Sequence, residues 1–189
     1  MSSDKASTRK ALRQTRNNLP LAQRQAAETQ SLMLLSRWQT WGNARVIASY
    51  LPHQSEFNPS CLTQDAAAQG ATIVYPRVTN ETLTFHDWQS GDPLEATIGG
   101  VDQPLASSPQ VALSRIDLFI TPMLACGDNG IRLGYGGGYY DRVFSKARGF
   151  RLGVGFSIQR IGSWETEPHD QRLWGFLSES RLELFSPGQ

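Results

Sequence analysis

The sequence has few cysteines and no long hydrophobic run, and each absence narrows what the protein can be. Its two cysteines, Cys61 and Cys126, stand in no CxxC or Cys/His array, which argues against a structural zinc site and a disulfide-stapled scaffold. We predict two small, reduced thiols in a reducing compartment. No apolar run approaches the length of a membrane-spanning helix, so no membrane partner is expected.

The N-terminal segment lacks the apolar core of a secretory signal peptide, and we expect a cytoplasmic protein. Residues 1–16 are rich in Ser, Thr, Arg and Lys and poor in acids, as transit peptides are, so organelle targeting stays open as an alternative. The charge shows no excess of one sign, because 18 basic and 17 acidic residues give a net charge of +1. Nucleic acid is therefore not indicated as a partner, and any basic site must be local.

Length and periodicity predict one α/β domain over residues 1–189. Continuous apolar runs are typical of parallel strands covered on both faces, and they alternate here with helical patterns. This predicts a largely parallel central sheet flanked by helices, with two helices at the N-terminus and ligands bound beyond the carboxyl ends of the strands. The predicted helices cover residues 7–17, 20–38, 59–69 and 139–146, the predicted strands 46–51, 72–75, 83–86, 116–121, 152–156 and 181–185, and a loop is predicted at 90–108.

The most informative stretch is the run RLGYGGGYYDR at residues 132–142. Four glycines among the five positions 134–138 let the backbone adopt positive φ and approach a ligand closely. Bare backbone N–H groups ahead of a helix form a cradle for phosphate oxygens. The run is neither a Walker A loop nor GxGxxG, since Tyr139 stands where the last glycine would be. A flexible surface loop is the alternative, but the flanking Arg132, Tyr140 and Asp141 favour a ligand site.

These residues and those around them resemble the 5-formyltetrahydrofolate cyclo-ligases, also called 5,10-methenyltetrahydrofolate synthetases. In that family a strand ending in proline is followed by a short acidic turn and the run G-x-R-L-G-x-G-x-G-Y-Y-D. Here Ile120-Thr121-Pro122 precedes Asp128 and the run GIRLGYGGGYYD at 130–141. The resemblance covers nearly the whole chain, because four other segments are also similar: 9–13, Glu56, 152–156 with Gln159, and His169-Asp170.

The resemblance implies a fold of the NagB/RpiA/CoA-transferase type and a ligase that depends on ATP and Mg²⁺. The implied reaction converts 5-formyltetrahydrofolate to 5,10-methenyltetrahydrofolate through an N5-iminium phosphate and releases ADP and phosphate. The implied partners are the folate and ATP, and we expect a monomer. Two alternatives stay open. One is an ATP-dependent small-molecule kinase or sugar-phosphate enzyme on the same scaffold, and the other is a non-catalytic folate- or nucleotide-binding module.

A nucleotide site is implied at the first helix and the glycine run. Arg9, Arg13 and Arg16 are spaced by four and three residues, which places them on one helix face. Such a face is either solvated or relieved of charge repulsion by an anion such as ATP, and Lys10 beside it can reach a phosphate. The resemblance assigns ATP binding to Arg9, Lys10, Arg13, Arg132, Leu133, Gly134, Tyr135, Gly136, Gly137, Gly138, Tyr139 and Tyr140.

The folate side is implied at Glu56, whose carboxylate can accept two N–H donors of a pterin, although a surface acid is the plain alternative. The resemblance assigns substrate binding to Arg13, Glu56, Tyr135, Gly136, Gly137, Gly138 and Tyr139. Three aromatic residues can stack on a pterin or pack in the core: Phe85, Trp88 and Trp164. Of the three histidines, His53 and His169 are placed at the edge of the site and His86 is interpreted as structural.

The resemblance makes Asp141 and Asp170 the magnesium ligands, since hard carboxylate oxygens suit this ion. The alternatives are a helix N-terminal acid for Asp141 and a loop acid for Asp170. Catalysis is assigned to Arg132, which neutralises phosphate charge, and to Tyr139, which contacts the formyl group or a phosphate.

Three positions depart from the family pattern. Gly137 stands where many members have lysine, which removes one phosphate cation. Asn58-Pro59 replaces an Asp-Thr pair, and His53-Gln54 replaces smaller residues. The departures concern the folate side more than the nucleotide side.

Overall fold

The computed structural model describes residues 5–80, 82–97, 99–162, 164 and 166–186. In this part of the chain helices surround an eight-stranded sheet, and two short antiparallel pairs lie outside it. The helices are α1 Lys5–Asn17, α2 Leu21–Leu35, α3 Gln39–Asn43, α4 Ser60–Ala68 and α5 Tyr139–Phe144. The strands are β1 Val46–Ala48, β2 Thr72–Thr79, β3 Thr82–Asp87, β4 Leu94–Ala96, β5 Asp102–Pro104, β6 Gln110–Val111, β7 Leu118–Thr121, β8 Ala125–Cys126, β9 Arg132–Leu133, β10 Phe150–Val154, β11 Gly175–Leu177 and β12 Leu182–Leu184.

The large sheet has the strand order β12-β11-β10-β7-β1-β2-β3-β6. The strands from β11 to β2 run parallel, and the outer β12, β3 and β6 pair antiparallel with their neighbours. The predicted α/β fold with a largely parallel sheet is confirmed. Because β1 pairs with β2 on one side and with β7 on the other, the winding of the chain reverses between β1 and β7. A crevice at the carboxyl ends of the strands is expected at such a switch point.

Helices cover both faces of this sheet, and each face has its own hydrophobic cluster. Neighbouring strand residues point to opposite faces, so Leu118 and Phe119 of β7 belong to different clusters. Leu118 packs with residues of α2, α3 and α4, whereas Phe119 contacts Phe144 of α5 edge-to-face, with ring centres 5.5 Å apart. The exposed area of both strand residues is 0%. The sheet that positions the crevice is therefore fixed from both sides.

The start of the first helix and the end of the second helix differ from the predicted boundaries. The second helix was predicted to run to residue 38, but α2 ends at Leu35, and a separate short helix, α3, begins at Gln39. The N–H of Trp38 donates to the carbonyl of Leu35, which closes the break between them. The first helix begins at Lys5, before the predicted start at Ser7, so Ser7 lies inside α1 and does not cap it. Asp4, a residue type that often caps helices, lies outside the described residues.

The strand predictions failed at Pro76 and in the segment 90–108. Proline was expected to end β2, but β2 continues and Pro76 pairs with Phe85 of β3. The pairing of β1 with β2 stops at Val74, so Pro76 lies where one side of β2 has no neighbour and a missing N–H is tolerated. The predicted loop at 90–108 contains the β4–β5 hairpin instead. β11 was not predicted at all.

Both cysteines are free thiols, and their environments predict different reactivity. Cys126 has no exposed surface, and burial raises its pKa to about 12, whereas Cys61 is partly exposed with a pKa raised less by burial. Since the thiolate is the reactive form, we expect a chromogenic thiol reagent at pH 8 to modify one cysteine in the native protein and both after unfolding. Cys61→Ser should abolish the native reaction. A native protein in which both thiols react quickly would contradict the burial of Cys126.

Within the described residues, no helix combines the length and the apolar character that crossing a bilayer requires.

Candidate active site

A cleft of about 1080 Å³ opens at the carboxyl ends of β1 and β7. Tyr50 and Leu51, which follow β1, and Pro122, which follows β7, line its base at the switch point of the sheet. Its other walls come from the turn that carries Glu56, the glycine run 134–138, the start of α1 and the β4–β5 hairpin. The cleft therefore lies where the sheet topology places ligand sites.

The glycine run forms a tight loop between β9 and α5. Gly136 and Gly138 have φ of 101° and 64°, in the left-handed region where a side chain is strained. At Gly134 the limit is space, because a Cβ atom there would lie 2.6 Å from Nη1 of Arg132. α5 has only 6 residues, so its dipole is small, and anion binding here must depend on the loop amides and on nearby cations.

Arg132 is the buried cation of the cleft. The residue is 9% exposed, and its Nη2 donates to Oδ2 of Asp141 over 3.1 Å. The other oxygen of Asp141 accepts the backbone N–H of Gln171 at 3.1 Å. The guanidinium carbon lies 5.4 Å from the centre of the Tyr140 ring. Within the described residues no acceptor takes the proton of Nε, and this atom is itself buried.

The basic residues of α1 are divided among different surroundings. Arg9 lines the cleft, and its Nε donates to the carbonyl oxygen of Gly134 over 2.9 Å. Arg13 is exposed, with its guanidinium carbon 5.8 Å from the centre of the Tyr135 ring. Lys10 is exposed and lies outside the lining of the cleft. The structure thus brings Arg9 to the glycine run and Arg13 to its edge, and the phosphate role of Lys10 stays a prediction.

Glu56 lies on the turn after β1 and lines the cleft. Its Oε2 accepts the backbone N–H of His53 at 2.9 Å, which fixes one carboxylate oxygen. The hydroxyl of Tyr50 donates to the carbonyl of Phe57 over 2.6 Å and closes the turn. Burial, followed by the charge of Glu56, raises the pKa of Tyr50 well above its ordinary value, so Tyr50 is neutral at physiological pH. A carboxylate in this position can accept N–H groups from a ligand.

Asp170 also lines the cleft, and its partners are a lysine and a backbone amide. Its Oδ2 accepts from Nζ of Lys5 at 3.1 Å and from the N–H of Glu167 at 2.9 Å. Burial favours a raised pKa for Asp170, but these two donors outweigh it and hold the pKa below its ordinary value. Asp170 is therefore ionised at neutral pH, and Lys5 brings the first turn of α1 to it.

The sequence is similar to known proteins of one family. The model of the 5-formyltetrahydrofolate cyclo-ligase family matches residues 1–177. The chain belongs to the 5-formyltetrahydrofolate cyclo-ligase family. It is 28% identical over 180 residues to the 5-formyltetrahydrofolate cyclo-ligase of Haemophilus influenzae, covering 89% of this chain and 94% of that protein. The Mycolicibacterium smegmatis cyclo-ligase is 26% identical over 185 residues, which is 94% of each chain.

Solved structures support the same fold. The 5,10-methenyltetrahydrofolate synthetase of Aquifex aeolicus superimposes with a TM-score of 0.84 at 22% identity and covers 98% of this chain and 94% of its own. The Mycoplasma pneumoniae synthetase gives a TM-score of 0.77 at 21% identity, over 94% of this chain and 99% of that one.

In this cyclo-ligase family member the two tyrosines after the glycine run have different surroundings. The Tyr139 ring packs against the loop, since a Cβ at Gly137 would lie 2.8 Å from it, and the guanidinium carbon of Arg142 is 5.0 Å from its centre. The Tyr140 hydroxyl is buried and has no hydrogen-bond partner within the described residues. Burial raises the pKa of Tyr140, so it is a neutral donor beside the cleft that it lines.

Only some of the predicted aromatic and histidine residues reach the cleft of this family member. Trp164 lines it, as do His53 and His169. Phe85 is instead a buried core residue, and Trp88 packs against a tyrosine of β2. His86 is buried as well, and its ring nitrogens are in hydrogen bonds with Ser108 and Thr84.

Sequence reasoning missed Lys5 and gave Arg16 no site role of its own. Lys5 lies four residues before Arg9, so helical spacing alone could have added it to the basic face. Arg16 was on that face, but nothing in the sequence showed that it is buried at 2% exposure.

Proposed function

We propose that this protein is a 5-formyltetrahydrofolate cyclo-ligase, in which residues 1–189 act as one domain. The proposed reaction uses ATP and Mg²⁺ to convert 5-formyltetrahydrofolate to 5,10-methenyltetrahydrofolate, with ADP and phosphate as the other products. The observation that supports it most is that one cleft at the sheet switch point joins Glu56, the glycine run, Arg9 and Arg132. A folate-binding carboxylate and a phosphate-binding loop thus share one space, within the family fold.

The phosphate side is formed by the loop and two arginines. Arg9 already contacts the loop through Gly134, and a Cβ at Gly136 would lie 3.7 Å from its guanidinium carbon. Arg9 therefore supplies a cation beside the loop, where Gly137 replaces the lysine of many family members. Arg132 supplies a largely buried positive charge on the wall of the cleft. Charge-assisted hydrogen bonds of this kind stabilise a phosphoryl group more strongly than neutral ones.

The proposed magnesium ligands are Asp141 and Asp170, and the residues present fit this ion. Both carboxylates line the cleft that would receive the nucleotide. No group of three or more His, Cys, Asp or Glu among the described residues could hold a metal ion. Mg²⁺ needs no such cage, since it commonly takes one or two carboxylates and completes its shell with phosphate and water. Bound there, it would neutralise charge on the phosphates of ATP.

The proposed reaction depends on holding the two substrates in position and needs no general base from the protein, because the attacking atoms belong to the folate. The N5-formyl oxygen attacks the γ-phosphorus and ADP leaves, which gives the N5-iminium phosphate. N10 then attacks the activated carbon, the C–O bond to phosphate breaks, and the proton of N10 leaves with the phosphate, which gives the methenyl product. Arg132 stabilises charge on the transferred phosphoryl group, and Tyr139 contacts the formyl group or a phosphate. The cleft holds the two substrates in contact, and such positioning makes a major contribution to the rate of phosphoryl transfer.

The unusual pair Asn58-Pro59 does not argue for another substrate. The N–H of Asn58 donates to Glu28 over 3.0 Å, and its Oδ1 accepts the N–H of Ser60 at 3.0 Å. The pair therefore begins α4, and neither residue belongs to the lining of the cleft. The departure from the family pattern changes a helix start, which leaves Glu56 available for the pterin.

The proposal is tested by mixing the purified protein with 5-formyltetrahydrofolate, ATP and Mg²⁺ and following the near-ultraviolet absorbance of the methenyl product. We expect a band that grows only when folate, ATP and metal are all present and that stops growing when EDTA is added. ATP binding without this band would favour the kinase or sugar-phosphate alternative. Binding of both ligands with no turnover would favour a non-catalytic module.

A further inference from the structure

Arg16 is a buried arginine whose contacts join three parts of the cleft wall. It lies in the last turn of α1 and is 2% exposed. Its Nη1 donates to the Tyr135 hydroxyl over 2.7 Å, and its Nε donates to Oγ of Ser55 over 3.1 Å. Tyr135 belongs to the glycine run, and Ser55 directly precedes Glu56. One guanidinium therefore connects α1 to both the phosphate side and the folate side of the cleft.

The position of Ser55 is fixed by the same helix. The Ser55 hydroxyl accepts from Arg16 and donates to the side-chain oxygen of Asn17, the last residue of α1. Two consecutive helix residues thus hold the residue next to Glu56. The N–H of His53, at the start of the same turn, donates to Oε2 of Glu56. The Glu56 carboxylate is therefore held in place relative to α1.

The charges of Arg16 and Glu56 have opposite effects on the pKa of Tyr135. Tyr135 is 41% exposed, but its hydroxyl lies against Arg16, and partial burial and the charge of Glu56 raise its pKa while the charge of Arg16 opposes this. The hydroxyl accepts from Nη1 of Arg16, and both Tyr135 and Glu56 line the cleft. Arg16 is in no ion pair within the described part of the chain, so its donors are satisfied instead by the neutral oxygens of Tyr135 and Ser55. A buried guanidinium without such compensation is costly.

We propose that Arg16 is a positioning residue for the folate, which acts through Tyr135 and Ser55 to orient the Glu56 carboxylate toward the N–H groups of the pterin. Arg16 is not part of the cleft lining, so it acts through these contacts and does not touch the substrate. Supporting residues of this kind fix the geometry of the groups that bind. The inference rests on the proposed function, because the pterin role of Glu56 belongs to that proposal.

The position of Arg9 on the same helix makes the inference specific. Arg9 lies two turns before Arg16 and contacts the glycine run from inside the cleft. Loss of Arg9 should affect ATP, whereas loss of Arg16 should affect the folate. If Arg16 only stabilised the fold, its loss would weaken the binding of both substrates.

The experiment compares Arg16→Gln, Arg16→Lys, Tyr135→Phe and the double variant Arg16→Gln/Tyr135→Phe. Arg37→Gln is the control, since Arg37 is exposed and lies outside the cleft. The dissociation constant of 5-formyltetrahydrofolate is measured without ATP by quenching of tryptophan fluorescence, and KM is measured for both substrates. Loss of a hydrogen bond to a charged group predicts a rise of about 10-fold in the folate constant for Arg16→Gln and for Tyr135→Phe. For Arg16→Gln, KM for ATP should change less than about twofold.

The double variant should bind folate no more weakly than the worse single variant, because both changes break one bridge. Arg16→Lys should recover part of the loss. If the two losses multiply, or if Arg16→Gln lowers Tm without changing folate binding, the positioning role is wrong. Tyr135→Phe keeps the test valid if Arg16→Gln folds poorly. A wild-type protein that binds folate but makes no methenyl product would overturn the proposed reaction alone, and one that does not bind folate would overturn both.

Discussion

Arg132→Ala is expected to lower kcat/KM for ATP by about 100- to 1000-fold, the range found when one preorganised donor to a developing charge is removed. Arg132 is the buried cation beside the glycine run, and its Nε–H has no partner within the described residues. The change also leaves the Asp141 carboxylate without its guanidinium partner. We therefore expect the Mg²⁺ concentration for half-maximal rate to shift as well, which titration of the rate with ATP and with Mg²⁺ would measure.

The control for this change is Arg148→Ala, because Arg148 is exposed and lies outside the cleft. Its kinetics should match those of the wild type. Arg132→Lys separates charge from geometry, since lysine keeps the charge but cannot reproduce the planar fork of guanidinium donors. An Arg132→Ala enzyme with wild-type dependence on ATP would remove Arg132 from the phosphate site.

The amino-acid sequence predicts those parts of the site that are formed by consecutive residues. The glycine run was recognisable because Gly136 and Gly138 need positive φ, a local property of the backbone. The buried strands before it were recognisable because a parallel strand covered on both faces is mostly apolar, as residues 118–120 of the buried strand β7 are. Both signals depend on neighbours in the chain, and both place the loop at the end of a central strand.

The parts that depend on tertiary packing could not be predicted. Lys5 and Asp170 are 165 residues apart, and Arg16 and Ser55 are 39 apart, so only the docking of α1 against the cleft brings each pair together. Helical spacing put Arg13 and Arg16 on one face but could not show that one is exposed and the other buried. The same reason explains Pro76, whose place in β2 is permitted only because β1 stops pairing at Val74.

Glu56→Gln should weaken folate binding by about 100-fold and leave KM for ATP within about twofold of the wild type. The carboxylate can accept two N–H donors from a pterin, whereas a glutamine side chain offers one acceptor and places an NH₂ against the second donor. The variant therefore loses a charge-assisted hydrogen bond, and its NH₂ group also faces an N–H donor of the pterin. The measurement is the dissociation constant of 5-formyltetrahydrofolate without ATP, followed by KM for each substrate.

The matched control is Glu28→Gln. Glu28 accepts the N–H of Asn58 beside the same segment but lies outside the cleft, so this change alters the start of α4 and no pterin contact. A loss of folate affinity in Glu56→Gln alone would assign the pterin to the Glu56 carboxylate. Equal losses in both variants would mean that the turn after β1 supports the cleft only through its fold. Because Arg16 is proposed to orient Glu56 through Ser55 and Tyr135, Glu56→Gln should also remove the effect of Arg16→Gln on folate binding, which links this result to the positioning role of the buried arginine.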